Sequence, residues 1–590
     1  MNRTARVVPD VATFAVDDGF WYTVPEHLSP DLAIGSIVRV PLSGRRVRGW
    51  VVEIAGEREG NLKEIAGISG AKPVFDQPLL EGLLWTARHY VAPVSTVLAR
   101  STPPNLPRTI PDPIDPPSIA PRDHPISTIA SRSATGTRAP MVALVGNWRT
   151  LDWLEAIGPV LASGRSVLVI AASAAEVSLI GDAATQIWGR IAAAATGDAD
   201  RSDTKAWEMA QSPPRLVVGT PKTATWMVEG LGMAVVLEEG RRAMKDRQTP
   251  TIHVREVLRT RSRLEGFNVV FFGPTPSVEL LSAGAEVVRV GNRAWPLVEV
   301  VDRSQDQPGS GFLSDRSVAA IAATAKRGGR VFVYTHRRVG FGSMRCTNCR
   351  ALRTCSRCGT RLARVEVCPR CGHPAAACRK CGGSEFEEMG TIPERLVSEL
   401  DRRIGPGTAA VHPADGKPVT IGTERDLAGL PRVDLAVAAD VDGMLIGTGY
   451  RTTEDALRQL ARLALAVDDR PGSRLMLQTS HPDSDLVTTM RRGDPIPYLE
   501  RILVARAREG APPASEMIVV ELRGHVPETA GADLAGLTDA LAMGPVRVDE
   551  GMRWLLTGKL GKARLELRDL VHRWRDTGVT VRVDVDPIDV

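Results

Sequence analysis

The chain has 590 residues, 43% apolar and 24% charged, which is ordinary for a globular protein but too long for one core, so roughly three to five domains are expected. A formal net charge of +5, carried mostly by arginine, permits nucleic-acid binding without demanding it. No apolar run reaches the roughly 18 residues of a membrane span, and Met1 to Phe14 lacks a secretory signal pattern, so a cytoplasmic protein without membrane contact is expected.

In chain order, residues 1–101 read as a small β-rich module followed by a helix. The run from Gly35 to Leu42 alternates like a strand, and Arg45, Arg46 and Arg48 precede the apolar strand Trp50 to Ile54. Leu80, Leu83, Leu84, Ala87 and Tyr90 have helical spacing up to Pro93. Residues 102–140 are rich in Pro, Ser, Thr and Arg with little periodicity, and predict an extended linker.

From 141 the pattern changes to short apolar runs separated by helical segments. Met141–Val145, Val167–Ile170, Leu216–Val218, Ala234–Leu237 and Val269–Phe272 form one set, spanning a lobe over 141–295. Val331–Tyr334, Ala409–Val411, Val419–Ile421, Leu435–Ala438 and Leu475–Leu477 form a second, in a lobe over 296–511. Both read as buried parallel strands of α/β lobes. The last part, 512–590, has strands at Met517–Glu521 and Val579–Val585 around helical segments, a small α+β domain.

A cysteine-bearing insertion, 344–384, interrupts the second lobe. All eight cysteines lie there as four pairs: Cys346/Cys349, Cys355/Cys358, Cys368/Cys371 and Cys378/Cys381. Glycine follows three of the pairs at Gly359, Gly372 and Gly382, relieving the backbone as it turns both thiolates onto one ion. Eight thiolates suffice for two tetrahedral Cys₄ sites with no open position, so two structural Zn²⁺ ions per chain are expected, with His336 and His373 left out of the ligand set.

Taken together, these features resemble the PriA (primosomal protein N′) replication-restart family, bacterial superfamily 2 DNA helicases with a paired zinc insertion in the second lobe. Phe20 to Pro25, Gly35 to Pro41, Arg48-Gly49, Tyr90 to Pro93 and Thr102 to Pro104 resemble that family's 3′-DNA-binding domain. Val218 to Pro221, Thr251 to Glu256 and Pro274 to Ser277 sit where its first-lobe helicase motifs sit. Arg337-Arg338, Ile421 to Thr423, Gln478-Thr479 and the ending Asp584 to Pro587 also match in order. The resemblance implies two RecA-like lobes, a nested metal arrangement with Cys346, Cys349, Cys378 and Cys381 on one ion and Cys355, Cys358, Cys368 and Cys371 on the other, and DNA contact through Trp21, Tyr22, Arg45, Arg46 and Arg48. It also implies partners: forked or single-strand-containing DNA, single-stranded DNA-binding protein, primosome proteins and the replicative helicase machinery.

The chain departs from that family at the residues that handle ATP. A P-loop needs two glycines, a lysine and a hydroxyl, yet Val145 to Thr150 reads Val-Gly-Asn-Trp-Arg-Thr, without the second glycine or the lysine. The family's Asp-Glu-Glu-His is Leu237 to Gly240 here, so leucine replaces the Mg²⁺-binding aspartate. Its transition-state arginines correspond to Ala464 and Val467. Trp21 stands where the family has an aspartate that the resemblance links to the 3′-terminal nucleotide. The winged-helix module expected after the first domain has no room in 102–140.

These substitutions predict a protein without a working phosphoryl-transfer site, its helicase lobes serving as a scaffold in primosome assembly at stalled forks. The other reading is an active ATP-dependent 3′-5′ helicase with a rebuilt nucleotide site. Glu238 and Glu239 are expected as a solvated pair at a strand end, His253 and Arg255 as structural residues, and Tyr22 and Trp21 as either packed aromatics or stacking platforms.

Overall fold

The computed structural model describes residues 3–58, 60–120, 122–306, 311–336, 344–349, 351–359, 362, 365–368, 372–375, 377–388, 392–414, 416–446, 449–548 and 551–589. The chain divides into two compact units, Met1–Asn292 with Leu499–Val590, and Arg293–Tyr498.

The first unit holds three sheets. The N-terminal one is antiparallel, in the order Phe20–Val24, Arg3–Pro9, Arg45–Ala55, Ile37–Leu42, Gly67–Ser69. Ile37–Leu42 returns into Arg45–Ala55 through Ser43 and Gly44, both at positive φ (47° and 78°), as a two-residue turn matched to strand twist requires. One face, with Ile37, Trp50 and Val8, packs on the helix Gln77–His89. The other buries Ala5, Val7, Tyr22, Val38 and Val40. Asp76 caps that helix by accepting from the Leu79 amide at 2.9 Å, and Leu79, Leu80, Leu83 and Ala87 form its buried stripe.

Residues 102–140, expected as an extended linker, lie against the first lobe. The Asn105 amide donates to Thr204 Oγ1 at 3.2 Å and the Ser212 hydroxyl to the Asp112 carbonyl at 2.9 Å, so the segment is strapped onto the first lobe. Ile126–Ala134 is a helix with Ile126, Ile129, Ala130 and Ser133 buried. A polar, proline-rich stretch cannot make a core, but it can lie on one and satisfy its backbone there.

The first lobe is a seven-stranded sheet in the order Glu286–Arg289, Val142–Val145, Asn268–Gly273, Leu231–Leu237, Ser166–Ile170, Leu216–Gly219, Ala192–Ala195, every pairing parallel. The C-terminal domain is an antiparallel sheet, Ala540–Val548, Gly551–Gly558, Glu516–Arg523, Thr580–Val585, with the helix Gly561–Asp576. It joins the first domain through Arg568 and Asp17 at 3.0 Å, and the first lobe through Lys245 and Asp584.

The second unit is a six-stranded parallel sheet, Val298–Asp302, Arg474–Thr479, Leu435–Ala438, Val331–Tyr334, Val419–Gly422, Ala409–Val411. After Val331–Tyr334 the chain enters the cysteine insertion, framed by an antiparallel pair, Met344–Cys346 with Phe386–Glu388. Both large sheets are parallel, and their central strands are buried on both faces as the unbroken apolar runs demand. Among the described residues no helix is long and apolar enough to cross a membrane.

Candidate metal centres and nucleic-acid interface

The hairpin Met344–Cys346/Phe386–Glu388 brings together residues some 40 positions apart. The Sγ atoms of Cys346 and Cys381 lie 3.5 Å apart, as do those of Cys349 and Cys378, and all four sulfurs fall within 4.8 Å of one another. Cys355, Cys358 and Cys368 form a second group of the same spread, with Cys358 and Cys368 sulfurs 3.6 Å apart. Cys371 lies outside the described residues. A tetrahedron with metal–sulfur bonds of about 2.3 Å has edges near about 3.8 Å, so both groups fit a thiolate-bound metal and are too open for disulfides.

The turns show why glycine follows the pairs. Gly359, Gly372 and Gly382 have φ of 72°, 68° and 74°, and their amides donate to the carbonyls of Cys355, Cys368 and Cys378 at 3.0, 2.8 and 2.8 Å. A side chain would strain each turn.

On the N-terminal sheet, Ile37 pairs with Trp50, Arg39 with Arg48 and Pro41 with Arg46. Directly paired residues point to the same face, which places Arg39, Arg46 and Arg48 together beyond the buried Ile37 and Trp50. Arg45 and Val47 face the other side. Arg48 is held by Asp10, which accepts from Nε at 3.0 Å and Nη2 at 2.8 Å. Among the described residues Arg39, Arg45 and Arg46 have no side-chain partner, and all are exposed. Like charges set directly opposite across strands are unfavourable unless an anion joins them. Arg39 was not singled out from sequence; its position two residues after Ile37 in an alternating strand is the signal that could have found it.

Tyr22 does not serve as a stacking platform. Its ring is 3% exposed in the sheet core, and its hydroxyl donates to the Pro41 carbonyl at 3.3 Å. Trp21, on the opposite face, is half-buried and carries the Arg58 guanidinium 4.1 Å from its ring centroid.

After strand Val142–Val145 the chain forms a short turn, Trp148–Thr150, where a P-loop would otherwise open. Trp148 is 2% exposed and its indole N–H donates to Glu238 Oε1 at 2.6 Å; Trp153, fully buried, donates to the Trp148 carbonyl at 2.8 Å. The expectation of a solvated Glu238–Glu239 pair is therefore wrong: both are buried. Glu238 occupies a left-handed backbone position, φ 51°. Glu239 accepts from the Ser277 amide at 2.7 Å and pairs with Arg255 at 3.0 Å. Arg241 bridges Glu176 at 2.6 Å and approaches Glu238 at 3.8 Å. An indole and arginines supply the hydrogen-bond and ion-pair partners that buried carboxylates require.

His253 caps the helix Val254–Glu265 by accepting from the Arg255 amide, and its own amide takes the Tyr90 hydroxyl as acceptor at 3.0 Å. In the second lobe Ala464 and Val467 are fully buried, and the nearby Arg462 is paired with Glu424 at 2.9 Å.

A family model for the PriA 3′ DNA-binding domain matches residues 6–103. The probable replication restart protein PriA of Mycobacterium bovis is 25% identical over 91% of this chain and 90% of its own length. That of Mycobacterium leprae is 24% identical over 98% and 99%, and the replication restart protein PriA of Treponema pallidum 25% identical over 98% of each. Two parallel-sheet lobes, a cysteine-rich insertion in the second and a domain matching a 3′ DNA-binding module mark a DNA-binding protein. Over most of its length the chain is similar to replication restart proteins PriA.

Proposed function

We propose that this protein binds stalled or abandoned replication forks in the cytoplasm and promotes reloading of the replicative helicase without acting as a motor. The observation that carries the reading is the buried Trp148–Glu238 hydrogen bond of 2.6 Å. An indole fills the turn that in a P-loop enzyme leaves room for phosphate, and the acidic pair that would serve Mg²⁺ is committed to protein donors. Fork contact rests on Arg39, Arg46 and Arg48, whose charges lie on one sheet face. The insertion holds two Zn²⁺, one on Cys346, Cys349, Cys378 and Cys381, the other on Cys355, Cys358, Cys368 and Cys371. It acts as a folded platform for primosome proteins and single-stranded DNA-binding protein. Fluorescent ATP analogues titrated with Mg²⁺ to millimolar concentration, with forked DNA present, should show no saturable binding. Saturable binding that Trp148→Phe leaves intact would refute the closed site.

A further inference from the structure

The C-terminal domain carries a second site with a different chemistry. Strand Ala540–Val548 ends its sheet, and among the described residues nothing pairs with its outward backbone groups. Natural edge strands are usually blunted by charge, yet this one shows Leu541 at 63% and Met543 at 43% exposure. The strand bulges between Met543 and Val546, where Gly544 has φ 129°. Beside the bulge a cavity of about 510 Å³ opens, walled by Val526, Pro527, Pro545 and Met552.

Trp554 lines that cavity. It is 4% exposed, and its Nε1 is buried with no hydrogen-bond partner. A Cβ built on Gly531, another lining residue, would sit 3.8 Å from that nitrogen, so the glycine keeps open the space in front of the donor. A buried indole N–H without an acceptor is uncommon in a folded protein and asks for one from a ligand. The charges at the cavity, Arg547 and Glu528, are of opposite sign, so it offers no array of cations for a phosphate backbone.

We propose that this is a docking site for an extended peptide segment of a protein partner. The segment adds a strand to Ala540–Met543 and places an apolar residue in the cavity, its main-chain carbonyl accepting from Trp554 Nε1. Only a peptide supplies together the backbone donors and acceptors for the free edge, the apolar side chain and the carbonyl. The site is independent of the fork-binding reading.

The test is selection of a phage-displayed random 12-residue peptide library on the full-length protein, with affinities of the enriched peptides measured for wild type and variants. Trp554→Phe keeps the ring and removes the donor, and should weaken binding about 3- to 10-fold, the equivalent of one neutral hydrogen bond. Gly531→Val should abolish binding, and Leu541→Lys with Met543→Lys should weaken it, while forked-DNA affinity and metal content stay unchanged. The added Cβ at Gly531 meets only an ordinary contact, and an unchanged urea-unfolding midpoint for Gly531→Val shows that a loss of binding is not a loss of fold. Failure to enrich any peptide, or equal affinity for wild type and the Gly531→Val and Trp554→Phe variants, would overturn the proposal. So would a shift of the Trp554 indole N–H resonance, assigned with Trp554→Phe, by forked DNA in the absence of peptide.

Discussion

Replacing Trp148 by Phe isolates the contact that closes the first lobe. Phenylalanine retains most of the buried apolar surface and loses the N–H that Glu238 Oε1 accepts at 2.6 Å. The carboxylate is 4% exposed, and its Arg241 contact, at 3.8 Å, is too long for a strong charge-assisted bond. A hydrogen bond to a charged group is worth about 1.5–3 kcal/mol, and stranding a buried carboxylate sits at the upper end of that range, so Trp148→Phe should lose about 2–3 kcal/mol. Glu238→Leu alone should also destabilise, because it leaves the buried indole N–H without its acceptor, while Arg241 keeps Glu176. The double variant should lose less than the sum of the two, with a coupling of about 1–3 kcal/mol. Urea unfolding of the four proteins, followed by a probe of the first unit, measures the cycle. Additive losses within about 0.5 kcal/mol would show that the two side chains do not depend on each other, and the closed-site reasoning would fail.

Elemental analysis should find two zinc ions per chain, with Cys349→Ser removing one and a chelator unfolding the insertion while the first unit keeps its fold. Charge reversal at Arg39, Arg46 and Arg48 should weaken fork binding alike for all sequences and lower the salt slope by about 0.7–0.9 for each lost phosphate contact; an unchanged slope would remove these residues from the interface. Burial pushes the Asp17 carboxyl up to about 6, outweighing the Val94 amide and Arg568, and its side chain is 4% exposed. A carboxyl raised in the folded state gives stability that is fully present below about pH 4 and lost as pH rises through about 6. Asp17 should therefore remove up to about 3 kcal/mol across that window, and Asp17→Asn should flatten the slope.

Where one force dominated, the sequence was readable. Buried parallel strands such as Val331–Tyr334 and Leu435–Ala438 appear as unbroken apolar runs with the same limits in the fold. The metal groups were legible because thiolate pairs need a fixed spacing. Elements whose identity depends on tertiary partners were missed. Ala192–Ala195 is a strand only because Leu216–Gly219 pairs with it, and Ala540–Val548 because of its hairpin partner. Glu238 and Glu239 looked solvated because nothing local announces that Trp148 and Arg255 come to meet them across 90 and 16 residues. The departure from a P-loop pattern was visible in Val145 to Thr150; that Trp148 is buried there against Glu238 was not. Tyr22 was ambiguous because alternation alone does not say which face of a two-sided sheet is covered.

ATP turnover in the presence of forked DNA tests the central claim most directly. Phosphoryl transfer depends on charge placed around the γ-phosphate, and loss of an arginine finger alone costs about 10³–10⁵ in rate. On the proposal that the lysine, Mg²⁺-binding aspartate and arginines of the family are all replaced, no DNA-stimulated hydrolysis should rise above the protein-free background. Turnover near about 1–100 s⁻¹ that is abolished by Glu238→Gln and Glu239→Gln would contradict the account, because those carboxylates would then be serving a nucleotide.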